Sequence, residues 1–205
     1  MANLTILMAQ FPINLNLAGR PVLVVGGGRI AHRKVQQLLM ADATVTVLAP
    51  AVVDELRALP VAIIEREYVR GDVNGYRLVI TATGVLEVDQ QIFDDCEDAN
   101  IWVNSADDPA RCTFTLPATM RRGELMITVS TAGASPALAS FLRSRLETAI
   151  GPDFGRLVDR LADERAAVHA RGESTEDVSW TPIISRAIRE MGIETPLLIA
   201  TEVSL

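Results

Sequence analysis

Five residues, Pro21 to Val25, run without a polar break into Gly26, Gly27 and Gly28. A helical pattern follows, with Ala31, Val35, Leu38 and Leu39 on one face. An uninterrupted apolar strand suits a parallel sheet covered on both faces. Three glycines between it and a helix make a tight turn in which little side-chain bulk is allowed. The spacing Gly26-x-Gly28-x-x-Ala31, after a strand and opening a helix, is the context in which such a loop binds a dinucleotide. Gly26 makes the turn, Gly28 lets backbone approach a pyrophosphate, and Ala31 lets the helix pack closely. The helix N-terminus then presents N–H groups and the positive end of its dipole to phosphate. A plain structural turn is the competing reading of the same glycines.

The rest of the first half keeps the strand–helix rhythm. Thr44 to Leu48, Val61 to Ile64, Leu78 to Ala82 and Ile101 to Val103 read as strands. Helical spacing is found over Asp54 to Leu59, and at Val88, Gln91, Ile92 and Cys96. Such alternation predicts an α/β, doubly wound parallel sheet. After Pro109 the rhythm breaks. Thr113 to Leu116 and Leu125 to Ser130 read as strands, with Arg122–Gly123 near the turn, so a boundary is expected near residue 112. Ser135 reads as an N-cap before Pro136, opening a helix with Leu138, Phe141, Leu142, Leu146 and Ala149 on one face. Gly151 and Pro152 close it, and a second helix starts at Asp153 with Phe154, Leu157, Val158 and Leu161 as its stripe. Arg171 to Asp177 is a polar linker, and Pro182 to Met191 a last amphipathic helix. Leu197, Leu198 and Ile199 in the tail finish a core or remain outside one.

Composition narrows the partners. The 205 residues carry a net charge of −7, which argues against broad nucleic-acid binding. Lys34 is the only lysine among the 19 basic residues. The two cysteines, Cys96 and Cys112, form no CxxC, so neither a disulfide framework nor a structural zinc is expected. The N-terminus lacks a basic n-region and no apolar run is long enough for a membrane span. A cytoplasmic protein, without membrane or nucleic-acid partners, is the expectation.

Three features at strand ends concern chemistry. The acid that usually holds the adenosine ribose is missing: Leu48, Ala49 and Pro50 stand at the end of the second strand, and Asp54 is the next acid. Thr81-Ala82-Thr83-Gly84 ends the fourth strand with small residues that let a cofactor lie close, or simply leave the sheet. Asn104-Ser105-Ala106-Asp107-Asp108-Pro109 follows the fifth, where open α/β sheets act on ligands. Asp108 reads as turn chemistry or an N-cap, and Asp107 as the better proton-transfer candidate. Ser130 to Pro136 is a small-residue loop, an anion nest or a capping turn.

Taken together, VLVVGGGRIAHRK, VLAP, TATG, NSADDPARCTFTLPA, STAGASP and ALASFLRSRLE resemble the precorrin-2 dehydrogenase / sirohydrochlorin ferrochelatase family, from about Leu15 to about residue 165. The last 40 residues match poorly. The resemblance implies a Rossmann NAD-binding domain over residues 1–112. A small strand-rich dimerisation segment over 113–150 and a C-terminal helical domain over 151–205 would follow, in a homodimer. It implies cofactor contacts at Gly26, Gly27, Gly28, Arg29, Ile30, Ala49, Pro50, Thr83 and Gly84. It places substrate contacts at Asn104, Arg111, Ser130 and Thr131, and assigns proton transfer to Asp107. The serine that some relatives link to metal handling is Thr131 here, although Ser130 is kept. Precorrin-2 is a polycarboxylate, so arginines among Arg111, Arg121, Arg122, Arg143 and Arg145 are expected to meet it. His32 and His169 make no metal-ligand cluster, and because several stand-alone members of the family lack chelatase activity the resemblance implies dehydrogenase activity without iron insertion. An enzyme that also inserts Fe2+, a different small dehydrogenase, or a non-catalytic dinucleotide-sensing module are the alternatives.

Overall fold

The computed structural model describes residues 10–106 and 108–196. The N-terminal leader expectation on residues 1–9, Asp107, and Leu197 to Ile199 fall outside them. The chain forms two compact units that part between Thr115 and Leu116.

The first unit is a five-stranded parallel sheet. Its strands are β1 (Pro21–Val25), β2 (Thr44–Ala49), β3 (Ala62–Glu65), β4 (Leu78–Thr81) and β5 (Trp102–Ser105), in the order β3-β2-β1-β4-β5. Three helices cross between them: α1 (Arg29–Leu39), α2 (Asp54–Arg57) and α3 (Leu86–Ala99). The order reverses between β1 and β4, which makes the carboxyl ends of those strands the natural ligand crevice. The doubly wound fold expected from the sequence is therefore present.

The apolar run in β1 has a direct cause in this layering. Successive strand side chains point to opposite faces. Val22 and Val24 enter one core with Ala31, Val35 and Leu38 of α1. Leu23 and Val25 enter the other with Ile92 and Cys96 of α3 and Val73. A one-sided sheet would have exposed every second residue; here Val22, Leu23 and Val24 are all fully buried. Each such side chain contributes about 1.5–3 kcal/mol. Burial, with Asp95 and Glu97 adding, pushes the Cys96 thiol up to about 12, so it packs as a small hydrophobe.

The long β3–β4 connection is pinned by carboxylates. Asp72 accepts from both terminal nitrogens of Arg66 and from Val69 N. The guanidinium holds that carboxyl below the ordinary aspartate range. Asp95, buried in α3, accepts from the Tyr68 hydroxyl, Arg70 and Gly71 N.

The second unit contains the antiparallel hairpin β6 (Ala118–Arg122) and β7 (Leu125–Val129), then α4 (Pro136–Ala149), α5 (Asp153–Ala170) and α6 (Trp180–Glu190). Gly123 turns the hairpin at φ +55°. Gly155 of α5 lies against the Arg122 carbonyl, where an added Cβ would sit 3.0 Å from the oxygen. Leu157, Ala187, Ile188 and Ile193 form this unit's core.

One expectation is corrected here. Thr113 to Leu116 is not a strand. Thr113 instead donates through its amide to Val103 O, and its hydroxyl accepts from Val103 N, so it closes onto β5. The hairpin's first strand is the polar Ala-Thr-Met-Arg-Arg run, in which only Met120 is buried. The apolar face expected on α4 is largely open among the described residues. Leu138, Phe141 and Leu142 are 48%, 60% and 39% exposed, and Ala139 alone is buried. The hairpin shares one compact unit with the helices, and α4 and α5 both pack on it.

Candidate dinucleotide and proton-transfer site

The glycine loop is built by backbone crowding. Gly26 has φ +131°, and a Cβ there would lie 2.4 Å from the Ala82 carbonyl oxygen. At Gly27 a Cβ would lie 1.9 Å from the Ala51 carbonyl oxygen. Gly26 N donates to Leu48 O, and Val53 N donates to Gly27 O. The loop is thus clamped between the ends of β2 and β4. Gly28 differs: a Cβ there would meet nothing within 4 Å. It faces open space at the start of α1, as the N-cap, with no side-chain cap and no acid in the first turn. Those first-turn N–H groups have no partner within the helix. This cradle fits a pyrophosphate: backbone donors, a helix dipole, and no competing carboxylate. Arg29 and Ile30 are exposed beside it.

Other expected cofactor positions lie along the same carboxyl edge. Ala49 is buried and Pro50 exposed at the end of β2. Thr83 and Gly84 follow β4, with Gly84 at φ +72°. The sequence reading missed Asp89. This carboxylate is buried one turn into α3 and accepts from the Thr83 hydroxyl at 2.8 Å. The Thr83 oxygen also accepts from Val85 N, so Thr83 fixes the start of α3. The signal available was an acid six residues after Thr83, which spacing alone does not single out.

The turn after β5 is equally pinned. Ala106 N donates to Thr81 O and Asp108 N to Ser105 O. Asp108 accepts from Ala110 N as the N-cap of a short 3-10 turn, Pro109–Arg111, and pairs with Arg111. Arg111 also donates from Nε to Gln90 on α3 at 2.7 Å. Asn104 is buried and donates to Phe114 O at 3.0 Å. Asn104 and Arg111 are therefore engaged in holding the turn. Asp107 lies in that turn but outside the described residues.

Ser130 and Thr131 belong to the second unit. Ser130 accepts from Ala132 N, and Thr131 accepts from Ser135 N. Ser135 accepts from Leu138 N and caps α4, as expected. Of the other arginines, Arg122 donates to the Glu147 and Ile150 carbonyls and Arg143 pairs with Glu147. Among the described residues no three His, Cys, Asp or Glu side chains gather as a metal cluster. No helix of those residues is long and apolar enough to cross a membrane.

Residues 13–118 match a family described as "Putative NAD(P)-binding". Siroheme synthase of Acinetobacter baylyi is 34% identical over 202 residues, 95% of this chain and 44% of that protein. Siroheme synthase of Nitrosomonas europaea is 40% identical over 169 residues, 80% of this chain and 36% of that protein. The chain thus spans less than half the length of these curated relatives. A solved structure titled "SirC, precorrin-2 dehydrogenase" superposes with a TM-score of 0.66 at 26% identity, covering 89% of this chain and 88% of that one.

Proposed function

The chain belongs to this NAD(P)-binding family, and from that premise we propose that it oxidises precorrin-2 to sirohydrochlorin in siroheme biosynthesis, with NAD as hydride acceptor. The observation that carries the reading is one edge of one sheet. The open Gly28 backbone at the start of α1 and the Asp107-bearing turn after β5 both lie at carboxyl ends of its strands. When bound, the nicotinamide supplies the acceptor for a hydride leaving a macrocycle carbon.

The chain's own residues supply position and proton handling. Gly26 to Gly28 and the α1 N-terminus hold the pyrophosphate. Thr83, braced by Asp89, shapes the wall beside it. Oxidation by two electrons also releases a proton, and Asp107 takes it as general base. Asp108 is the poorer base of the pair, because Ala110 N and Arg111 already engage it. Iron insertion is not part of the proposal.

We also propose a homodimer. Leu138, with Phe141 and Leu142 one turn further on, leaves an exposed apolar stripe on α4 in the second unit. A second copy covering them would remove that apolar area from water.

Cationic side chains are expected to meet the substrate's carboxylates, and Arg121 and Arg145 carry no ion pair among the described residues. The test is steady-state rates at varied ionic strength. The KM for precorrin-2 is expected to rise with salt more steeply than the KM for NAD. Equal dependence removes the arginine role; absence of NAD-dependent turnover removes the proposed activity.

A further inference from the structure

We propose that the amino edge of the parallel sheet carries a second binding site, separate from the glycine loop, for a small planar molecule bearing an acidic group. The residues that lead into β1, β4 and β5 line a depression of about 630 Å³ there, a size that suits a small-molecule ligand. Parallel strands send all their amino ends to one edge. The glycine loop therefore lies at the other edge, across the five residues of β1, or about 17 Å of strand.

Three neighbouring strand starts set the geometry. Arg77 N donates to Pro21 O at 2.9 Å, which brings the backbone of Arg77 beside that of Arg20 and Pro21. Leu78 pairs in register with Trp102 at the start of β5. Arg20, Arg77 and Trp102 thus follow one another along the edge, and all three line the depression. Tyr76, half-buried against the core on one face of the sheet, lines it too.

The charge of this edge points to an anion. No Asp or Glu lines the depression, although the chain has 26 acidic residues against 19 basic ones. Among the described residues neither Arg20 nor Arg77 makes an ion pair or a side-chain hydrogen bond, whereas Arg57, Arg66, Arg70 and Arg111 of the same unit are each paired. Asp95 and Asp98 line a smaller depression alongside. Asp95 is already engaged by Tyr68, Arg70 and Gly71 N, and neither carboxylate pairs with Arg20 or Arg77. Like charges on adjacent strands repel, and a carboxylate or phosphate between two guanidinium groups relieves that repulsion with charge-assisted hydrogen bonds.

The aromatic side chain points to a flat ligand. Trp102 is 42% exposed, while Val103, Asn104 and Ser105 behind it are buried. It is one of only two tryptophans in the chain. Its open ring offers a stacking face and an N–H donor. An acidic group alone would leave the indole uncovered, and an apolar ring alone would leave both arginines unpaired.

The test is calorimetric titration of the full chain with NAD at saturation, which keeps the probes off the glycine loop. The probes are naphthalene-2,6-dicarboxylate, 1-naphthyl phosphate and uncharged 2-naphthol. At least one of the two anions is expected to bind once per chain, and the tighter of them identifies the acid that the ligand carries. Arg20→Gln, Arg77→Gln and Trp102→Ala are each expected to weaken that binding about tenfold, and added salt to weaken it further. Trp102→Phe, which keeps a ring, should recover most of the loss. Arg57→Gln and Trp180→Phe should leave the affinity unchanged. No binding of either anion overturns the proposal, as does affinity that survives in both Arg20→Gln and Arg77→Gln. Equal losses in Arg57→Gln, or 2-naphthol bound as tightly as the anions, overturn it as well. The readout is binding, so a chain without precorrin-2 turnover would sink the proposed activity and leave this test intact.

Discussion

Replacing Asp107 with asparagine is expected to lower kcat for precorrin-2 oxidation by about 10²- to 10⁴-fold, the range that a lost general base costs. The dinucleotide Kd should stay within about twofold, because the phosphate cradle lies on β1 and α1 rather than on β5. The substitution keeps size and shape and removes only the capacity to take a proton. Asp108→Asn provides the contrast. That side chain caps the 3-10 turn and pairs with Arg111, so its loss should act through the loop, with a smaller fall in kcat. Wild-type turnover in Asp107→Asn, with NAD bound normally, would remove the assignment. A larger loss from Asp108→Asn than from Asp107→Asn would reverse the two roles.

The glycine loop gives the second large effect, and it separates folding from binding. Gly27→Ala puts a Cβ 1.9 Å from the Ala51 carbonyl oxygen, a backbone atom that cannot swing aside. Gly26→Ala adds backbone strain at φ +131° to a 2.4 Å approach to the Ala82 carbonyl oxygen. Strain and overpacking together are expected to destabilise either variant by about 2–5 kcal/mol. Gly28→Ala meets nothing within 4 Å, so stability should change by no more than about 0.5 kcal/mol. Its cost falls on the ligand instead. A methyl between the backbone and the pyrophosphate should weaken charge-assisted hydrogen bonds and lower NAD affinity about 10- to 100-fold. Denaturant unfolding and NAD titration of the three variants measure both effects. Unchanged NAD affinity in Gly28→Ala would contradict the phosphate cradle, and wild-type stability in Gly27→Ala would contradict the close approach of Gly27 to the Ala51 carbonyl.

The sequence was most legible where one element's residues answered to both faces of the sheet. The β1 run could be read because Val22 to Val25 are all buried, and the glycines because they join that strand directly to α1. Capping was readable too: Ser135 and Asp108 both accept from backbone amides as their residue types predict. Legibility failed where a residue's role depends on a distant partner. The β6 strand carries one buried side chain, so it lacks the alternation that marks a half-buried strand. Thr113 to Leu116 looked like a strand because of β-branching, yet Thr113 spends its polar groups on β5. Arg111 reaches Gln90, 21 residues away, and Asp89 braces Thr83; neither pairing has a local pattern. The α4 stripe is legible as apolar, but what covers it is not, since Leu138, Phe141 and Leu142 are exposed among the described residues.

The most direct test of the proposed activity is anaerobic incubation of the purified protein with precorrin-2 and NAD, followed by absorption spectroscopy. The account predicts NAD-dependent conversion to the sirohydrochlorin spectrum, with NADH formed in equal amount. An unchanged precorrin-2 spectrum, with NAD binding intact, would contradict it and leave a dinucleotide-binding module without this chemistry.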